Sequence, residues 1–170
     1  MIASRSRSIA RTILEPLALA VALALIVRSF LHIYKIPSAS MEPTLQTGDV
    51  IVVTRYFRGE PQRGDVVVFR SGNELVVKRV IATPGELVDS HEGRVRIGGY
   101  AISEPYARGA TGAMQAQLVA PESFFVLGDN RGVSEDSRAW GPVRRERIVG
   151  RARFVLWSAR RGQRLFQRIE

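Results

Sequence analysis

An uninterrupted apolar run from Leu17 to Val27, led by Arg5, Arg7 and Arg11, constrains this chain more than any other part of its sequence. On its own the run is shorter than the roughly 20 residues a membrane crossing needs, and it has the length of a secretory leader core. Its flanks extend it. Ile13 and Leu14 precede Glu15, and Phe30, Leu31, Ile33 and Tyr34 follow Arg28. Glu15 and Arg28 then fall near the headgroup layers, where long side chains reach water. Pro16 is tolerated in the first turn of a helix. We read residues 14–34 as a retained transmembrane helix in preference to a leader removed by cleavage. The arginines ahead of it, set against Arg28 and Lys35 behind, favour a cytoplasmic segment 1–13 and an outward-facing remainder.

From Asp49 onward the pattern changes to short β-type runs between turn signals. They are Val50–Thr54, Val66–Phe69, Leu75–Ile81, a hairpin-like stretch from Leu87 to Ile102, Phe124–Leu127 and Arg151–Trp157. Many short strands without a helical period predict a mainly β, antiparallel-sheet domain over 35–158, preceded by one N-terminal transmembrane helix. Residues 103–122, rich in Ala, Gly and Gln, read as an exposed loop or a poorly ordered excursion. The arginine-rich end, 159–170, reads as a basic tail or a short amphipathic helix.

With 45% hydrophobic and 24% charged residues the chain is not disordered. It has no cysteine, so disulfides and thiolate metal sites are excluded. His32 and His91 lie far apart with no ligand spacing, and we expect neither metal nor cofactor. The net charge of +9 raises anionic lipid or nucleic acid as partners. Yet only Lys35 and Lys78 among its 25 basic residues are lysines. Arginine stays protonated, whereas a desolvated lysine can lose its proton and serve as a base.

Two prolines bracket a pair of serines in Ile36-Pro37-Ser38-Ala39-Ser40-Met41-Glu42-Pro43-Thr44-Leu45. A serine hydroxyl becomes a useful nucleophile only when a neighbouring base takes its proton. Neither histidine is well placed, with His32 near the membrane boundary and His91 in the turn-like DSHEGR. Lys78 is the better base: it sits in LVVKRVI, among β-branched residues that keep water from an amine. Most strand lysines are simply solvated, and composition alone does not single this one out.

Longer motifs do. PSASMEPTL, then Arg63-Gly64-Asp65-Val66-Val67-Val68-Phe69, then Val77-Lys78-Arg79-Val80 with Pro84-Gly85, then the segment Gly128–Gly141 (GDNRGVSEDSRAWG) follow the apolar run in order. In this order they resemble the type I signal peptidases, membrane-bound serine proteases with a Ser-Lys dyad. The resemblance implies Ser40 as nucleophile and Lys78 as general base. It implies Ser38, with the backbone N–H of Ser40, as the oxyanion hole, and Ser134 as the group orienting the base. Asp136, Arg138 and Arg79 would support the site, and Ile36, Leu45 and Val77 would line pockets for small substrate residues. It further implies signal peptides of exported preproteins, cut after A-x-A-like sites, as substrates, with membrane lipid as the other partner. No nucleic acid and no obligate protein partner are expected. The location implied is the bacterial cytoplasmic membrane, with a single pass. Two features depart from the family pattern. Gly132 and Val133 stand where polar residues are common, and the region 84–122 is short for the family's inserted domain.

Two other readings compete, and a conjugation-type or other specialised peptidase of the same family stands as a close variant of the first. A self-cleaving Ser-Lys protease would fit the dyad, but no helix-turn-helix precedes Ser40 and an apolar run does. A basic, membrane-tethered binding module would need neither Ser40 nor Lys78, and its phosphate contacts would weaken steeply with salt.

Overall fold

The structure is a computed structural model and describes residues 2–56, 59–158 and 166–169 of the chain. The chain divides into two compact units between His32 and Ile33. The first is α1, Ile2–Phe30, a helix of 29 residues. Among the described residues no helix is long and apolar enough to cross a membrane. The side chains of Leu17, Leu19, Val21, Leu23 and Leu25 on α1 are nonetheless at least half exposed.

The helix differs from expectation at both ends. It starts at Ile2, so Pro16 lies in its interior and not in a first turn. It stops at Phe30, and Leu31–Lys35 forms strand β1, where residues 31–34 were expected to continue the helix. The physical reason is a change of period: within LHIYK, His32 and Tyr34 are the better-buried residues and their neighbours are exposed, the alternation of a strand.

Eleven more strands follow: β2 (Val50–Thr54), β3 (Val66–Ser71), β4 (Glu74–Ala82), β5 (Leu87–His91), β6 (Arg94–Ile97), β7 (Tyr100–Ala101), β8 (Met114–Leu118), β9 (Ser123–Leu127), β10 (Val143–Arg144), β11 (Ile148–Trp157) and β12 (Gln167–Arg168). A four-residue helix, α2 (Ser137–Trp140), lies between β9 and β10. The larger sheet runs β1-β2-β11-β3-β4-β9-β10, with β12 paired to β11, and the smaller runs β7-β6-β5-β8. From β2 onward the pairings are antiparallel. The mainly β, antiparallel architecture read from the sequence is the one observed.

Strand β3 explains why its sequence is an unbroken apolar run. Val66 and Val68 pack with Ile36, Leu45, Ile51 and Val77 on one side. Val67 and Phe69 pack with Val80, Phe124 and Val126 on the other. Both faces are covered, so alternation into polar residues is lost; each such side chain contributes about 1.5–3 kcal/mol relative to exposure. A third cluster, including Ile81, Val88, Val95, Phe125 and Leu127, is shared by strands of the two sheets.

The stretch 103–122 is not an unstructured excursion. Its residues 114–118 form β8 on β5, Thr111 and Val119 are buried, and Tyr106 and Met114 pack on the third cluster. Its MQAQL strand is exposed along nearly all its length, so no apolar alternation marks it in the sequence. The expected basic tail differs at its end as well. Ile169 is buried in the first cluster, with its N–H bonded to the Arg153 carbonyl at 2.9 Å. Residues 159–165, to which the tail or helix reading also applied, lie outside the described residues.

Candidate active site

The β3–β4 hairpin sets the position of Lys78. Its two-residue turn carries Gly72 at φ 58 in the first central position, a conformation that favours glycine, and pairs Ser71 with Glu74. This register puts Lys78 opposite Val67, in the most deeply buried part of the sheet. It also fixes which way the β4 backbone points. Val80 exchanges bonds with Asp65 and Gly64 on the β3 side, whereas Arg79 pairs Leu127 of β9. Alternation then aims the backbone groups of Leu75 and Val77 toward the β9 side. The β9 register begins only at Arg79, which leaves the Leu75–Val77 edge without a β9 partner.

Ser40 arrives from a separate segment, the tight turn after β1. The turn is tied down by Ile36 N–H to Asp49 O and Gly48 N–H to Ile36 O, both 2.8 Å, and by Leu45 N–H to Met41 O at 2.9 Å. From the other side, Asn130 donates its backbone N–H to Ser40 O at 3.0 Å and its side-chain amide to Ala39 O at 3.2 Å. The result is that Lys78 Nζ lies 2.8 Å from Ser40 Oγ, with the two residues only 4% and 9% exposed. Burial lowers the Lys78 pKa below the ordinary lysine value because it penalises the ammonium. Asp136 opposes this shift and Arg138 reinforces it.

Ser38, more exposed, donates its hydroxyl to Ser40 Oγ at 3.3 Å, so the first three candidate residues form one cluster. Ser134 is placed differently from the expected pairing. Its Oγ is buried and makes no well-formed hydrogen bond to Lys78 or to any other described residue, although it is placed toward Asp136 as a hydrogen-bonding neighbour that helps lower that carboxyl's pKa. Gly128 controls how closely it approaches. A Cβ there would lie 2.1 Å from Ser134 Oγ and 2.6 Å from Ser40 O, so only glycine lets the two serine segments converge.

Asp136 and Arg138 form an ion pair, Nε to Oδ1 at 2.8 Å, in which Asp136 is fully buried and Arg138 partly exposed. Arg138 also holds the carbonyls of Arg131 and Ser134 at 2.8 and 3.0 Å. Burial alone would raise the Asp136 pKa, but the Arg138 guanidinium and the Gly128 N–H outweigh it and the carboxyl titrates below its ordinary value. Arg79, beside the candidate base, is 1% exposed. It grips Asp129 with two bonds of 2.9 and 2.8 Å, donates to the Gly64 carbonyl at 2.9 Å and to Thr44 Oγ1 at 3.2 Å, and stacks 3.9 Å from the Tyr106 ring. One side chain thus fastens the nucleophile segment, the base strand and the loop after β9.

Ile36 and Val77 line a pocket of about 180 Å³ that opens beside Ser40 and Lys78. Leu45 does not stand on its wall. It is fully buried in the cluster beneath, where it packs with Ile36 and Val77. Tyr34 and Glu74, not singled out in the sequence, stand on the pocket instead. Sequence reading also missed the individual roles of Thr44, Asp129 and Asn130; the signal for the last two was an Asp-Asn pair just after a buried strand, which reads equally well as an ordinary turn. His91 lies on β5 in the smaller sheet. No group of three or more metal-ligating side chains occurs among the described residues.

The sequence profile of the family described as signal peptidase, peptidase S26, matches residues 9–157. The chain belongs to that family. Among its relatives is a signal peptidase I from Leptolyngbya laminosa, 40% identical over 162 residues, covering 87% of this chain and 80% of the relative. A signal peptidase I from Bacillus amyloliquefaciens is 37% identical over 160 residues, covering 84% and 83%. Thylakoidal processing peptidase 1 of Arabidopsis thaliana is 34% identical over 155 residues, covering 81% of this chain and 46% of the plant protein. A crystal structure of a signal peptidase I from Enterococcus faecalis V583 aligns at 32% identity and TM-score 0.47, over 55% of this chain and 97% of that one. This member of the signal peptidase family is accordingly an enzyme, a peptidase.

Proposed function

We propose that this peptidase removes signal peptides from exported preproteins at the outer face of the bacterial cytoplasmic membrane, with Ser40 as nucleophile and Lys78 as general base. The 2.8 Å approach of a buried lysine amine to a buried serine hydroxyl is the observation that carries the reading. A neutral Lys78 takes the Ser40 proton as Oγ attacks the scissile carbonyl carbon. The negative charge that develops on the carbonyl oxygen is met by the Ser38 hydroxyl and the Ser40 N–H. Lys78 returns its proton to the leaving amine, and water then hydrolyses the acyl-enzyme by the same proton route. Asp136 and Arg138 support the loop around Ser134.

An extended substrate adds to the unpaired Leu75–Val77 edge of β4 as a further strand, and its side chains alternate into the pocket. The pocket of about 180 Å³ beside Ser40 and Lys78, walled by Ile36 and Val77, offers an apolar seat for small side chains, which supports cleavage after A-x-A-like sequences. Incubating the purified protein in detergent with a preprotein and sequencing the new N-terminus tests the whole reading. An uncut preprotein, or a cut away from the small residues, rejects it.

The rate is expected to rise with pH through the alkaline side of neutrality. Only the neutral amine accepts a proton, and burial brings the lysine pKa down from its ordinary value toward that range. A kcat/KM profile that peaks below pH 6 contradicts this.

We read the part of α1 from residue 14 onward as the anchor, a single pass with residues 1–13 in the cytoplasm. The exposed apolar side chains from Ile13 to Leu25 and the arginines at 5, 7 and 11 support that reading. Protease added to intact spheroplasts is expected to degrade the β domain and leave the N-terminal arginines protected. A protein recovered wholly in the soluble fraction removes the anchor.

A further inference from the structure

Tyr34 sits where the substrate strand is expected to run, and it makes a contact the catalytic scheme does not use. Its hydroxyl donates to the Leu75 carbonyl at 2.6 Å. That carbonyl belongs to the edge of β4 directed away from β3, the same edge on which Val77 offers its backbone groups. The Tyr34 ring lines the pocket beside Ser40 and packs against the first core cluster, so the hydroxyl is held there by apolar contact as well. A chain adding to this edge meets backbone partners on alternate residues, first Val77 and then Leu75. The second acceptor already receives the Tyr34 hydroxyl, which stands in the way of an arriving strand.

We infer that Tyr34 is a specificity-determining stop: its hydroxyl ends strand addition at Leu75 and limits backbone recognition to about the three residues before the cut. Leu75 lies three strand positions from Lys78, about 10 Å at 3.3 Å per residue. An extended substrate advancing one residue per position therefore reaches the tyrosine at its third residue upstream of the scissile bond. Residues farther upstream leave the sheet and gain nothing from β4. The inference rests on the docking edge proposed above.

The experiment compares two fluorescent peptides with the same A-x-A carboxyl end, three and six residues long. Both are titrated in detergent against the full chain carrying Ser40→Ala, with and without Tyr34→Phe. The phenylalanine keeps the ring and its packing and removes only the hydroxyl. With Tyr34 present the two dissociation constants should agree within about twofold. With Tyr34→Phe the six-residue peptide should bind about three- to tenfold more tightly than the short one, the effect of one recovered hydrogen bond. A length preference of equal size in both proteins overturns the inference, and so does its absence from both. Preprotein cleavage by the wild type is measured alongside. Normal cleavage with no change in length preference rejects the stop alone, whereas no cleavage rejects the parent reading.

Discussion

Lys78→Arg is expected to lower kcat/KM for a preprotein by about 10⁴-fold, although it preserves positive charge and much of the side-chain bulk. A guanidinium cannot give up its proton at any pH the enzyme survives. The cavity around Lys78 favours a neutral amine, and an obligatory cation there would meet the same desolvation that lowers the lysine pKa. The Ser40 hydroxyl would then face a donor with no basic lone pair. Ser40→Ala should be inactive to the same degree, and the double variant should be no worse than either single one if the proposed dyad acts as a unit. Steady-state cleavage in detergent measures all three. Near wild-type turnover by Lys78→Arg would show that the proton goes elsewhere.

Asp129→Ala is expected to destabilise the β domain by about 3–5 kcal/mol, since it strands a buried guanidinium without its counter-charge. Arg79 is 1% exposed and Asp129 is wholly buried, so bulk solvent does not screen the charge left behind. Thr44 loses an acceptor in the same step, as its hydroxyl donates to Asp129 Oδ2 at 2.5 Å. Thr44 lies in the turn that presents Ser40, so activity should fall even where the domain remains folded. Denaturant unfolding, compared with kcat measured well below the transition, separates the two effects. A loss of under 1 kcal/mol would mean that the remaining partners of Arg79, among them Gly64, Thr44 and Tyr106, hold it without the carboxylate.

How much of this could be read from the amino acids depended on whether a residue's role was local. Lys78 became a candidate because lysine is rare in this chain and its neighbours are β-branched, facts visible without a fold, but only the longer motifs singled it out. Ser40 was marked by its prolines and by the longer motifs. The strand pattern was legible where one or both faces are buried, as in β3 and β4, and illegible in β8, whose exposed residues carry no period. Asp129 and Asn130 looked like an ordinary turn because their partners, Arg79 and the Ala39 and Ser40 carbonyls, lie 50 to 91 positions away. Leu45 was assigned to the pocket on resemblance, and the fold places it one layer deeper. The end of α1 was misjudged because hydropathy sums cannot register a switch from helical to alternating burial.

The two glycines of the loop after β9 differ in what they permit. Position 128 is closed to every side chain by atoms of both serine segments, whereas at Gly132 an added Cβ meets no atom within 4 Å and the backbone is not left-handed. The loop is therefore rigidly specified at its root and open to chemical variation four residues on. Laboratory evolution of this peptidase has room to place new polar groups at its rim without disturbing the hydroxyl at its centre.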